Sequence, residues 1–208
     1  YMRKIKNRIK MVICLLTASF LMISYPVYAA DNMQQKEEYY KQYSKIVNRL
    51  SNETGCKIEL LPMAEFTEKD WRSPEEFEKV VREFATSKFV LVGDENGTDW
   101  NMVSRSSVSA SKNATKSTSD GYSYTVKISA KFNTQYSSGR QYISSVSSIS
   151  SRLVSGNGTW TQTGSDYSLI DGGRTASVTV TGKATYAGAS YTVRPTAEFY
   201  CSATGGIS

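Results

Sequence analysis

The chain has 208 residues, a formal net charge of +6 and an isoelectric point of about 9.1. It contains no histidine. That single absence excludes Ser-His-Asp and Cys-His nucleophilic catalysis, histidine metal sites and a histidine pH switch.

The N-terminus accounts for most of the basicity. Residues 2–10 carry Arg3, Lys4, Lys6, Arg8 and Lys10 with no acid, and an apolar run from Met11 to Ser24 follows. Pro26 and the small residues of "VYAA" come next. A basic segment, a short apolar stretch and an A-x-A-like site predict a signal peptide over 1–29, cut between Ala29 and Ala30. The run is short of the ~20 apolar residues that a spanning helix needs. Cleavage would remove five of the 25 basic residues and leave twenty against 19 acidic ones, a net charge of about +1. No nucleic-acid partner is therefore expected from charge, and the predicted localisation is secreted. Two cysteines remain, Cys56 and Cys201, an even number in an exported setting that suggests a disulfide between them.

An acidic region spans 30–103, with fifteen acids against ten bases. Tyr39, Tyr43, Ile46, Val47 and Leu50 recur at helical spacing and predict an amphipathic helix over 33–52. "CKIELL" alternates and reads as a strand. "SPEEFEKVVREF" carries a helix start signal: Ser73 as N-cap, Pro74 at the first helical position and Glu76 completing a capping box. "KFVLVG" (88–93) reads as a second strand, and "DENG" as a turn.

The stretch 104–121, "SRSSVSASKNATKSTSDG", is almost wholly Ser, Thr, Lys and small residues and reads as a linker or long loop. Beyond it lies a basic domain, 122–208. Tyr122, Tyr124, Val126, Ile128, Ala130 and Phe132 alternate with Ser, Thr and Lys. Ala176, Val178, Val180, Ala184 and Tyr186 repeat the pattern, as do Tyr191, Val193, Ala197, Phe199 and Cys201. Period-two alternation of this kind marks half-buried antiparallel strands. "YISSVSSISSRL" fits neither template: Ile143, Val146, Ile149 and Leu153 fall near helical spacing, but Ser and β-branched residues are poor helix formers. An irregular strand pair is expected there, and a hairpin turn at Asp171-Gly172-Gly173. The expected fold class is α+β, a small N-terminal region of two helices and two strands followed by an antiparallel β-sandwich-like domain.

The chain carries no Walker loop, no G-x-G-x-x-G and no paired C-x-x-C, so neither a cofactor nor a metal site is expected. Most carboxylates lie on predicted helix surfaces, where a solvated face explains them. The positive signal is surface character: Lys127, Lys131, Lys183, Arg174 and Arg194 on a Ser/Thr background, with Trp160 as an aromatic platform. Cations attract polyanions, and aromatic rings stack sugars. The build resembles small exported proteins of Gram-positive bacteria. The sequence thus points to a non-catalytic, secreted, surface-binding module for an anionic cell-wall polymer, a glycan or a surface protein. The alternatives are a toxin or bacteriocin-like factor, and a carboxylate-dependent extracellular hydrolase.

Overall fold

The computed structural model describes residues 32–92, 105–119 and 121–208. The signal-peptide reading and the turn at 94–97 lie outside these residues. The described chain holds two helices and nine strands in two antiparallel sheets, an α+β, sandwich-like fold. Helix α1 covers 32–54 and is divided between two compact units, Tyr1–Tyr43 and Ser44–Ser208. In the first unit the described turns carry the neighbouring rings of Tyr39 and Tyr43, 6.3 Å apart. Everything below concerns the second unit.

Within it, β1 is Ile58–Leu60, α2 Pro74–Thr86, β2 Val90–Val92, β3 Arg105–Ser117, β4 Ser123–Ser137 and β5 Arg140–Ser155. Then follow β6 Trp160–Ile170, β7 Thr175–Tyr186, β8 Ala189–Val193 and β9 Thr196–Tyr200. One sheet runs β1-β8-β7-β6 with β9 also paired to β7, and the other runs β2-β3-β4-β5. Helix α2 starts as its sequence dictates, with the Ser73 hydroxyl accepting from the Glu76 amide at 3.2 Å. Phe77, Val81 and Phe84 form its buried stripe.

The inner faces of the two sheets meet in one core of Val108, Ala114, Ile128, Phe132, Val146, Val178, Val180, Phe199 and their neighbours. Phe132 and Phe199 meet across it with centroids 4.8 Å apart. Phe84 joins α2 to both sheets, its ring 5.7 Å from Tyr124 on β4 and 4.5 Å from Tyr191 on β8. Fully buried aromatics of this size each remove well over 100 Å² from water, so this contact sets where the end of α2 sits. Within the helical region Arg82 pairs with Glu53 at 2.8 Å and with Glu78 at 3.0 Å.

Three sequence readings are corrected. Residues Arg105–Ser117, expected as a linker, form a strand paired along its whole length with β4. Its buried face is carried by Val108 and Ala114, opposite Phe132 and Val126, and by two lysines, so the alternation is present without the usual bulky apolar residues. β1 pairs with β8 and β2 with β3, so the acidic region adds an edge strand to each sheet. The cysteines are free. Cys56 lies against the Thr192 carbonyl, beside the C-terminal part of β7 through the Lys183–Thr192 pair. The Cys201 amide instead donates to the Arg174 carbonyl, just before β7 begins. Nine residues of strand at ~3.3 Å each separate those positions, far beyond the ~7 Å that a disulfide bridges.

The segment expected as an irregular strand pair is instead one continuous strand, β5, whose pairing with β4 shifts register between Thr125 and Val126, Ser129 and Lys131, and Asn133 and Thr134. Each extra residue on β5 lengthens the interval between inward side chains. Ile143 and Val146 are both buried although three apart, and Ser148 at φ +51° marks the second bulge. A bulged strand therefore imitates helical spacing.

Candidate functional site

Strand β3 places two lysines, Lys112 and Lys116, in register with Ile128 and Tyr124, on the core-facing side of its sheet. Lys112 holds its ammonium 5.7 Å from the Phe199 ring. Inward-pointing charge on a strand whose edge, among the described residues, is covered by β2 only at Asn113–Thr115 discourages pairing with another chain.

Lys116 is more unusual, being only 3% exposed. Its ammonium donates to the Phe84 carbonyl in the last turn of α2, a turn that has no basic residue of its own. A cation there satisfies an orphan helix carbonyl and faces the negative end of the helix dipole. The same carbonyl accepts from the Ser87 hydroxyl at 3.3 Å. The ammonium also lies 4.6 Å from the Phe84 ring centroid and 5.4 Å from that of Phe89. No carboxylate pairs with it among the described residues, and burial pushes its pKa from 10.5 down to about 8. The charged amine is thus retained at a desolvation cost that rings and a carbonyl offset only in part.

Lys116 lines a cleft of about 330 Å³ together with Ser87, Lys88, Phe89, Val193, Arg194, Pro195 and Thr196. The helix end supplies Ser87–Phe89, and the link between β8 and β9 supplies Val193–Thr196. Lys88 and Arg194 are exposed. Neither is ion-paired among the described residues. The lining therefore offers three cations, two hydroxyls, an aromatic ring and no acid, a donor set for an anionic group. Cys56 sits close enough to Lys116 for the two charges to interact, but burial pushes its thiol pKa up, away from a thiolate.

The other sequence-derived site residues do not gather here. Trp160 lies in the seam between the sheets, its N–H donated to Ser151 at 2.9 Å and its ring packed on Gly182, where a Cβ would meet it at 2.5 Å. The ring is thus committed to packing rather than standing as an open platform. Lys127 and Lys131 lie on the outer face of the four-stranded sheet, in register with Arg152 and Ser147 respectively. Lys183 pairs with Glu59 at 2.9 Å on the other sheet. The hydrogen bond from Lys57, with that from Lys183, holds the Glu59 carboxyl down at about 2. Arg174 stands at the turn before β7, so of the five cations expected from sequence Arg194 alone reaches the cleft.

Lys88 and Lys116 were not singled out from sequence. Lys116 had a readable signal: extending the Val108–Ala110–Ala114 alternation by two places puts it on the inner face.

No family model, curated protein or solved structure matches this chain. The chemistry of the site must therefore speak for itself. Among the described residues no three of His, Cys, Asp and Glu gather into a metal site. No helix among them is long and apolar enough to cross a membrane.

Proposed function

We propose that this chain is an exported, non-catalytic binding protein that holds an anionic cell-envelope polymer through the Lys88–Lys116–Arg194 cleft. The observation that carries the reading is the buried Lys116 ammonium, opening on a cleft with two more cations and no carboxylate. A buried cation without a counter-charge lowers stability, and such departures from local consistency concentrate where function requires them. An anionic group in the cleft would supply the missing charge. Export is supported by the basic and apolar N-terminal segments alone.

The test is co-sedimentation with Gram-positive cell walls, intact and stripped of their anionic polymers, across a salt series. Binding to intact walls that falls as ionic strength shortens the Debye length from ~10 Å at 0.1 M to ~3 Å at 1 M is expected. Equal binding to stripped walls would reject the anionic polymer in favour of a glycan or a surface protein. No binding to either would reject the envelope reading.

A further inference from the structure

At the opposite end of β9 a second cleft, of about 520 Å³, opens between the β4–β5 turn and the short turn before β7. Its polar lining differs from the first in kind. Arg140, Arg174, Asp171, Tyr142 and Gln135 converge on it.

Arg140 is fixed in place. It donates to the carbonyls of Gln141 at 3.3 Å and Cys201 at 2.8 Å, and its guanidinium lies 5.3 Å from the Tyr142 ring centroid. Arg174 donates through Nε to the Asp171 carbonyl at 3.0 Å, which leaves both Nη atoms without a partner among the described residues. Asp171 accepts from the Thr175 hydroxyl through Oδ2 at 3.3 Å, which leaves Oδ1 unspent. The Tyr142 hydroxyl and the Gln135 amide have no partner among the described residues either. The turn that presents Asp171 is held in the left-handed region at three successive residues, with φ of +53°, +66° and +86° at Asp171, Gly172 and Gly173. A Cβ on Gly173 would lie 2.8 Å from the Ile143 carbonyl, so this turn is locked against β5.

The mixture selects the ligand. Two guanidinium groups match a carboxylate, which they bind in planar, paired fashion. Asp171 and the Gln135 carbonyl require hydrogen-bond donors, and Asp171 repels a compact dianion such as phosphate. A ligand satisfying both sets carries one carboxylate and several hydroxyls on a small ring. We infer that this cleft binds a sugar acid, with the carboxylate on Arg140 and Arg174 and the hydroxyls on Asp171, Gln135 and Tyr142. The site goes beyond the anionic cleft of the proposed function and shares no residue with it.

The test is calorimetric or NMR titration, with digalacturonate, digalactose and inorganic phosphate, of the full chain carrying Lys88→Ala and Arg194→Ala, which removes the exposed cations of the first cleft. Digalacturonate should bind at least about tenfold more tightly than either of the other two, since each lacks one half of the matched set. Arg174→Gln should weaken it about tenfold or more while leaving the melting temperature unchanged, because Arg174 is exposed. Asp171→Asn keeps a side chain that tolerates positive φ. It should shrink the preference for digalacturonate over phosphate. In the Lys88→Ala, Arg194→Ala background the first cleft no longer contributes, so the digalacturonate affinity reports this site alone. The inference is overturned if digalacturonate does not bind, if phosphate binds as tightly, or if Arg174→Gln changes nothing.

Discussion

Replacing Lys116 with methionine should change the protein's stability in a direction that reverses with pH. Methionine has nearly the same length and no charge, so it fills the same volume beside Phe84 and Phe89. In the native protein burial holds the amine at about 8 against an ordinary 10.5. A depressed lysine pKa means that the unfolded state binds more protons between those values, so native stability rises with pH from about 8 to 10.5. At about 1.4 kcal/mol per pH unit, that gap amounts to about 3 kcal/mol of penalty borne at pH 7. Methionine removes the penalty and also the hydrogen bond to the Phe84 carbonyl, worth about 1 kcal/mol. Lys116→Met should therefore be more stable than the parent by about 2 kcal/mol at pH 7, and less stable by about 1 kcal/mol near pH 10.5. Urea melts of both proteins at matched pH give the difference directly. Subtraction removes the falling limb expected above pH 10 from Tyr122, Tyr124 and Tyr191, whose pKa values burial raises. A variant that loses stability equally at both pH values would mean instead that the ammonium is fully compensated in place.

Three further outcomes follow from the same structure. Glu59→Gln removes two ion pairs, to Lys57 and Lys183, that are partly open to solvent. It should cost no more than about 1 kcal/mol at pH 7, and the difference from the parent should vanish in melts as pH falls from 4.5 through about 2. Gly158→Ala sets a Cβ 1.9 Å from the Thr185 carbonyl oxygen at a φ of +122°. It should cost about 3 kcal/mol or more by denaturant melt, and a cost below about 1 kcal/mol would mean that the turn between β5 and β6 is not pinned to β7. Alkylation in denaturant without reductant, read by intact mass, should label both Cys56 and Cys201, and protection of the pair would restore the disulfide.

The sheets were readable where one face is built from large apolar residues. β4 and β7 alternate without interruption, and Ser73-Pro74 with Glu76 announced α2 because capping is a local interaction. The strand over Arg105–Ser117 was hidden because its inner face uses alanine and lysine, residues that bury against a neighbouring sheet no sequence window contains. β5 was hidden for a different reason: bulges change the interval between inward residues without any Gly or Pro to mark them. The basic character of the candidate site was legible, but its location was not. Lys183 is neutralised by Glu59, 124 positions away in sequence, and the burial of Trp160 depends on Gly182 across a strand pair. Lys88, Lys116 and Arg194 meet only because Phe84 docks the end of α2 against both sheets.

The cleft of Lys88, Lys116 and Arg194 should receive an anion. Calorimetric titration with tripolyphosphate at fixed ionic strength, at pH 6.5 and pH 9.5, tests it most directly. Binding is expected at pH 6.5, when Lys116 is protonated, and about tenfold weaker binding at pH 9.5. In the Lys88→Ala, Arg194→Ala double variant none is expected at either pH. Unchanged binding by the double variant, or an affinity indifferent to pH across that range, would contradict it.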